Sequence, residues 1–284
     1  MKRLSIRDYV VTRVYIYGLV ASIVGPMLYI VSSSLTDPAH QAERILLFIP
    51  QQATLKNYVS ALEYAANTLS VPVWLMFLNS SIYTVFAILI SLVLSAAAAF
   101  GFANFSFRGK ELLFLLILST MTIPLQSLII PLFLLFKRLE LLDTYFALIL
   151  PYAAIGLPFS TLLLRGFFQS LPPELRDAAR IDGASDFGYF RRVVLPLSIA
   201  PLATCIIFLF LTFWNEFLLA LVMKQSDRLA PLTLTLSRIV KARAPQPLPV
   251  YAAIILIGAV PILAVFILLQ RWFVRGIAAG AIKG

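Results

Sequence analysis

LRDAARIDGASDFGYFRRVVLPL, Leu175 to Leu197, is the longest polar stretch in a chain that is otherwise mostly hydrocarbon. Apolar runs flank it, Thr144–Leu164 before and Ile199–Val222 after. Each is close to or above the roughly 20 residues that cross a bilayer as a helix. An Asp-Gly pair and two adjacent arginines do not belong in hydrocarbon, so this stretch is a loop between two spans.

Four more runs of the same kind stand outside that pair: Val14–Leu35, Val73–Ala103, Leu112–Phe136 and Val250–Phe273. The runs are continuously apolar and not alternating, which selects helices over a barrel. Composition agrees. Of 284 residues, 61% are hydrophobic and 13% charged, with a mean hydropathy of +0.92, against roughly 25% charged in soluble domains. The expected fold is all-α, a polytopic membrane protein with six transmembrane helices in one domain over residues 1–284.

Lys and Arg set the orientation. With the N-terminus inside, fourteen of the 23 basic residues fall on inner segments and nine on outer ones. Both termini are therefore expected in the cytoplasm, as is the loop 171–197. The outer segment Met223–Pro249 runs against the trend with five basic residues, and it ends in the stiff stretch Ala244–Pro249. The net charge of +10 follows from basic loops and needs no nucleic acid partner, since no basic patch is interleaved with aromatics.

Other classes are poorly supplied. One cysteine, Cys205, and one histidine, His40, give no disulfide and no metal-ligand set, so neither a metal site nor a catalytic cluster is expected. No phosphate-binding Gly-x-x-x-x-Gly-Lys-Ser/Thr loop is present, so the chain itself should bind no ATP and no other cofactor. A secondary carrier working alone would be expected to show internal repeats and intramembrane acids. The chain offers no repeat and one such acid, Glu216.

Within the loop, Pro172-Pro173 opens a helix on which Leu175, Ala178 and Ala179 share a small, flat face. Gly183 ends it. Ser185 or Asp186 caps a second helix through Phe187, Phe190 and Val194, which Pro196 should stop. Two readings fit. The pair is a docking element for another protein, or an amphipathic hairpin held on lipid by Arg191 and Arg192.

Polar residues inside spans are costly and mark either a solute path or helix-to-helix hydrogen bonds. Asn215 and Glu216 are the candidates in the fifth span. Asn79, Ser80 and Ser81 open the second span, where they can line a cavity or cap the helix. Ser91, Ser95 and Ala99 form a small-residue stripe suited to close packing. Pro124, Pro131, Pro151 and Pro158 can bend the third and fourth spans.

The loop resembles the cytoplasmic signature of the membrane subunits of binding-protein-dependent ABC importers: Glu-Ala-Ala, three residues, Gly, nine residues, Ile, any residue, Leu-Pro. Here Asp177-Ala178-Ala179, Gly183, Val193 and Leu195-Pro196 stand at those spacings, with Asp for Glu and Val for Ile. Thr54–Tyr58 (TLKNY), Leu78–Thr84 (LNSSIYT), Phe213–Phe217 (FWNEF) and Gly276–Gly284 (GIAAGAIKG) are similar to the carbohydrate branch, specifically the six-helix second permease of maltose-type transporters.

That resemblance implies a type I ABC importer permease fold in the cytoplasmic membrane of a bacterium or archaeon. It implies a second permease subunit forming a heterodimer, two ATPase subunits carrying ATP and Mg, and an external solute-binding protein delivering a sugar or polyol. It assigns docking to Asp177, Ala178, Ala179, Asp182, Gly183, Leu195 and Pro196. Asn79, Asn215 and Glu216 remain candidates for the translocation path. A non-sugar solute such as a glycerol phosphate ester is the alternative cargo, against which the near absence of Lys and Arg within the spans argues. A stand-alone carrier is the more distant alternative.

Overall fold

The structure is a computed structural model that describes residues 6–43, 48–50, 52–69, 72–240 and 246–281. Its regular elements are helical. Among the described residues four helices are long and apolar enough to cross a membrane, and up to six spans result if each of two bent pairs counts as one.

Four of the six apolar runs form single helices. They are α1 (Ile6–Ser34), α3 (Val73–Asn104), α6 (Phe146–Gln169) and α13 (Leu248–Ala281). Pro26, Pro131, Pro151, Pro158 and Pro261 sit inside helices, as neighbouring spans permit. The helix α13 takes in Leu248 and Pro249, so the stiff segment before it is shorter than its sequence suggests; Ala244 and Pro245 lie outside the described residues.

The run 112–136 is not one continuous helix. It divides into α4 (Lys110–Ser119) and α5 (Leu125–Arg138), joined by the 3-10 turn Thr120–Thr122 and bent by 98°. Pro124 is the cause. It has no N–H to donate, and its ring pushes the preceding residue out of the helical region. Ile123 accordingly lies at φ −83, ψ 115. The run 199–222 is also broken, into α10 (Ile199–Trp214) and α11 (Leu218–Met223), with Asn215–Phe217 between them.

The chain divides into two compact units, Met1–Val73 with Leu236–Val260, and Trp74–Thr235 with Pro261–Gly284. In the first, Asn57 at the start of α2 (Lys56–Leu69) donates to the carbonyls of Ser34 and Thr36, both at 2.8 Å, closing the end of α1. Ala61, Ile239, Val250, Ala253 and Ile254 form its core, drawn from α2, the end of α12 (Leu232–Val240) and the start of α13.

In the second unit α3, α6 and α10 pack closely, and small residues make this possible. Ser91, Ser95 and Ala99 are fully buried on α3, and Ser95 donates to the Leu157 carbonyl at 3.1 Å. A Cβ on Gly156 of α6 would meet Ser91 Oγ at 2.6 Å, Leu209 at 2.8 Å and Phe213 at 3.0 Å. Only a glycine lets these three helices approach so far.

Candidate functional site: the loop between α6 and α10

The loop is built of short helices. Glu174–Ile181 (α7) follows Pro172-Pro173. Gly183 turns the chain at φ +79, a conformation that glycine adopts without steric cost. Ser185 caps α8 (Asp186–Tyr189), its hydroxyl accepting from the Gly188 N–H at 3.1 Å. The helix widens through a π turn at Phe190–Val194 and tightens again as α9 (Leu195–Leu197).

Pro196 therefore does not stop the second helix, contrary to the sequence expectation. It occupies the first turn of α9, where its missing N–H costs nothing. The break comes two residues later at Ser198 (φ −91, ψ 14), whose buried hydroxyl donates to the Val194 carbonyl. Such back-bonding bends helices. The segment Asp186–Leu197 meets α10 at 73° there.

The two alanines of the signature differ in burial. Ala179 is buried in this chain's own core with Ala96, Ala99, Phe100, Leu164, Phe168, Tyr189, Val194 and Cys205, and Leu175 packs against the same cluster. Ala178 is exposed. The shared face expected of Leu175, Ala178 and Ala179 is thus split. Leu175 and Ala179, one turn apart, anchor α7 to the inner ends of α3, α6 and α10. Asp177 and Asp182 are exposed, their carboxylates with no hydrogen bond or ion pair among the described residues, and Leu195 is half-buried against the same core.

Three residues that the sequence reading did not single out complete the site. Arg176 reaches in three directions: its guanidinium donates to the Asn104 carbonyl at 2.8 Å, pairs with Asp186 at 3.0 Å, and lies 5.5 Å from the Phe105 ring centroid. It ties α7 and α8 to the end of α3. The bond from Arg176, with Arg180 beside it, holds the Asp186 carboxyl below the usual carboxylate range. Ile181 is 87% exposed and Phe187 69% exposed, one on each loop helix. The sequence signal for Arg176 was an arginine ten residues before an acid. Nothing local showed that Ile181 points outward.

The candidate path residues land elsewhere. Asn79 neither caps α3 nor faces a cavity. It is fully buried one and a half turns into the helix, donating to the carbonyls of Arg228 (2.9 Å) and Ala230 (3.1 Å) and accepting from Tyr145 (2.9 Å). Ser80 accepts from the Leu232 N–H at 2.8 Å, and Tyr83 donates to the Leu229 carbonyl at 2.7 Å. Together they latch the segment 228–232 onto α3. Glu216 lies in the break between α10 and α11. Its carboxylate accepts from Tyr152 (2.8 Å) and from the N–H groups of Leu219 (2.7 Å) and Ala220 (3.2 Å), capping α11 from within the chain. Asn215 beside it is exposed.

Residues 91–279 match the family model for the binding-protein-dependent transport system inner membrane component. Among relatives, the osmoprotective compounds uptake permease protein of Synechocystis sp. is 38% identical over 208 residues, 73% of this chain and 70% of that one. The arabinooligosaccharides transport system permease protein of Halalkalibacterium halodurans is 34% identical over 243 residues, covering 84% and 83%. A chain of a bacterial ABC transporter involved in the import of the acidic polysaccharide alginate superposes with a TM-score of 0.81 at 24% identity, over 96% of this chain and all of that one. That superposition shows the type I importer permease fold. The chain belongs to the binding-protein-dependent transport system inner membrane component family, as a multi-pass inner-membrane permease that works with other ABC components and a solute-binding protein.

Proposed function

We propose that this chain is one of two unlike permease subunits of an ATP-driven importer for a sugar or polyol. In this reading two ATPase subunits hold ATP and Mg, an external binding protein delivers the solute, and both termini lie in the cytoplasm. The carbohydrate assignment draws support from the similarity to the arabinooligosaccharides transport system permease protein. Arg165, the buried cation inside the fourth span, is paired with Glu111 at 2.6 Å and covered by the Phe114 ring, so it offers nothing to a phosphate ester.

One observation carries the mechanism: the loop has two faces. Leu175, Ala179, Tyr189 and Val194 lock it into the ends of three spans. The other face exposes Ala178, Ile181 and Phe187. Covering a side chain such as Ile181 or Phe187 gains about 1.5–3 kcal/mol, so this face calls for a partner. The exposed residues of the loop carry both signs: Glu174, Asp177 and Asp182 around α7, with Arg180, Arg191 and Arg192 beside them. Charges of both signs set around exposed apolar side chains suit a protein cleft of complementary charge. When the ATPases close on ATP, a loop packed this firmly moves the spans with it as a rigid body. Asp177 pairs with a cation of the ATPase, and Ala178 lets the surfaces meet closely.

The test uses the assembled importer in liposomes. Ile181→Asp should lose the ATPase subunits on purification. Ala178→Trp should keep the fold but lower solute-stimulated ATP hydrolysis at least ten-fold, about 1.4 kcal/mol of lost coupling. Normal stimulation in both variants would return the loop to the lipid surface.

A further inference from the structure

The uncharged polar side chains of the third span cluster at its break and point outward. Ser119, Thr120, Thr122, Gln126 and Ser127 are all exposed, and no residue of the turn Thr120–Thr122 is buried. The ten residues of α4 rise about 15 Å, so the turn falls about halfway through a hydrocarbon layer of roughly 30 Å. Non-helical backbone at that depth persists only where protein covers it or water reaches it. The fifth span has its own break, and Asn215 is exposed there. The two breaks belong to one construction: α5 packs on α11, and both α11 and the turn Thr120–Thr122 pack on α6.

The hydrogen bonding shows what this surface can bind. The hydroxyl protons of Ser119, Thr120 and Thr122 go to the carbonyls of Leu116 (2.8 Å), Ile117 (2.7 Å) and Ser119 (2.7 Å). The Asn215 amide donates to Leu211 at 2.8 Å. The three hydroxyl donors are thus engaged with their oxygen lone pairs outward, while the Asn215 amide keeps its carbonyl and a second N–H. Gln126 adds a carbonyl and an amide. The span between Leu112 and Phe136 contains no charged residue. A neutral surface that is mostly acceptor, with a few amide N–H donors, complements a solute rich in hydroxyls and offers no cation to a carboxylate or phosphate.

Resting on the importer reading above, we propose that the broken third and fifth spans form the solute-contacting strip of the path, in which Thr120, Thr122, Gln126 and Asn215 bind an uncharged polyhydroxylated solute. Asn79 is not part of it, because it is fully buried, nor is Glu216, whose two carboxylate oxygens both accept bonds from within the chain.

The experiment uses the full importer with Cys205→Ser and single cysteines at Thr122, Gln126, Asn215 and, as a control, Ile130, an apolar residue 72% exposed on α5. Each is treated with a water-soluble, charged thiol reagent in the resting state and in the ATP–vanadate state. The strip cysteines should react at least ten-fold faster than the Ile130 position in one of the two states. Equal, slow labelling in both states would overturn the proposal and leave the strip covered by the second permease or lipid. The ATPase copies counted in the same preparations keep that failure separate from failure of the importer reading. For solute class, uptake is measured from a panel of neutral oligosaccharides and polyols with glycerol phosphate as the anionic member. Gln126→Leu should cut uptake of the neutral member about ten-fold with the ATPases still bound, the scale of one lost hydrogen bond. Uptake of glycerol phosphate alone, or an unchanged rate in Gln126→Leu, would overturn the assignment.

Discussion

Arg176 connects the loop to the spans more directly than any other residue. It bridges α7, the Asp186 carboxylate and the last carbonyl of α3. Arg176→Ala should leave the ATPases bound, because the docking face does not include it, yet transport should fall more than ATP hydrolysis. A drop of about ten-fold in solute moved per ATP is expected for loss of a charge-assisted pair of contacts, measured in liposomes. Arg176→Lys should not restore it, since a single ammonium cannot serve two separate acceptors in a fixed fork. Parallel loss of both activities would instead make Arg176 a plain stability residue. At this scale the sequence was only partly legible. Gly183 could be placed at the turn, because a helix must end where a positive φ is needed. The different burial of Ala178 and Ala179 could not be read, because periodicity groups residues on a helix but does not say which side meets the rest of the molecule. Asn79 was misread for a similar reason: its partners, at Arg228 and Ala230, are about 150 positions away.

Among the elements, the small-residue stripe on α3 was visible in the sequence, while the glycine that answers it on α6 was not. Gly156→Ala forces a methyl group against buried Ser91 Oγ, Leu209 and Phe213. Overpacking of this kind costs about 1–3 kcal/mol. Thermal unfolding in detergent should move down by several degrees, with the ATPase docking variants unaffected at permissive temperature. An unchanged midpoint would mean that α3, α6 and α10 part more easily than their packing suggests. The breaks in the third and fifth spans were hidden by hydrophobicity, which reads as continuous from Leu112 to Phe136 and from Ile199 to Val222. Pro124 was the local signal for the first. For the second the signal was Glu216, a carboxylate that caps the helix restarting at Leu218. A hydropathy window averages over both, so span number survives it and span shape does not.

For the whole molecule, the sequence carried most of the information: a polytopic all-helical protein, with a polar helical loop set between two spans. That level is legible because bilayer thickness fixes helix length, and because polar residues are excluded from hydrocarbon. The loop leaves Ile181 and Phe187 exposed among charges of both signs, a surface that calls for a partner. The most direct measurement is to extract the chain from its native membrane in mild detergent and weigh the intact complex by native mass spectrometry. The account predicts one copy of this chain with one unlike permease and two ATPase subunits, and loss of the ATPase mass in Ile181→Asp. A chain that emerges alone and stable, and that binds solute without ATPase subunits, would contradict it and make the protein a carrier in its own right.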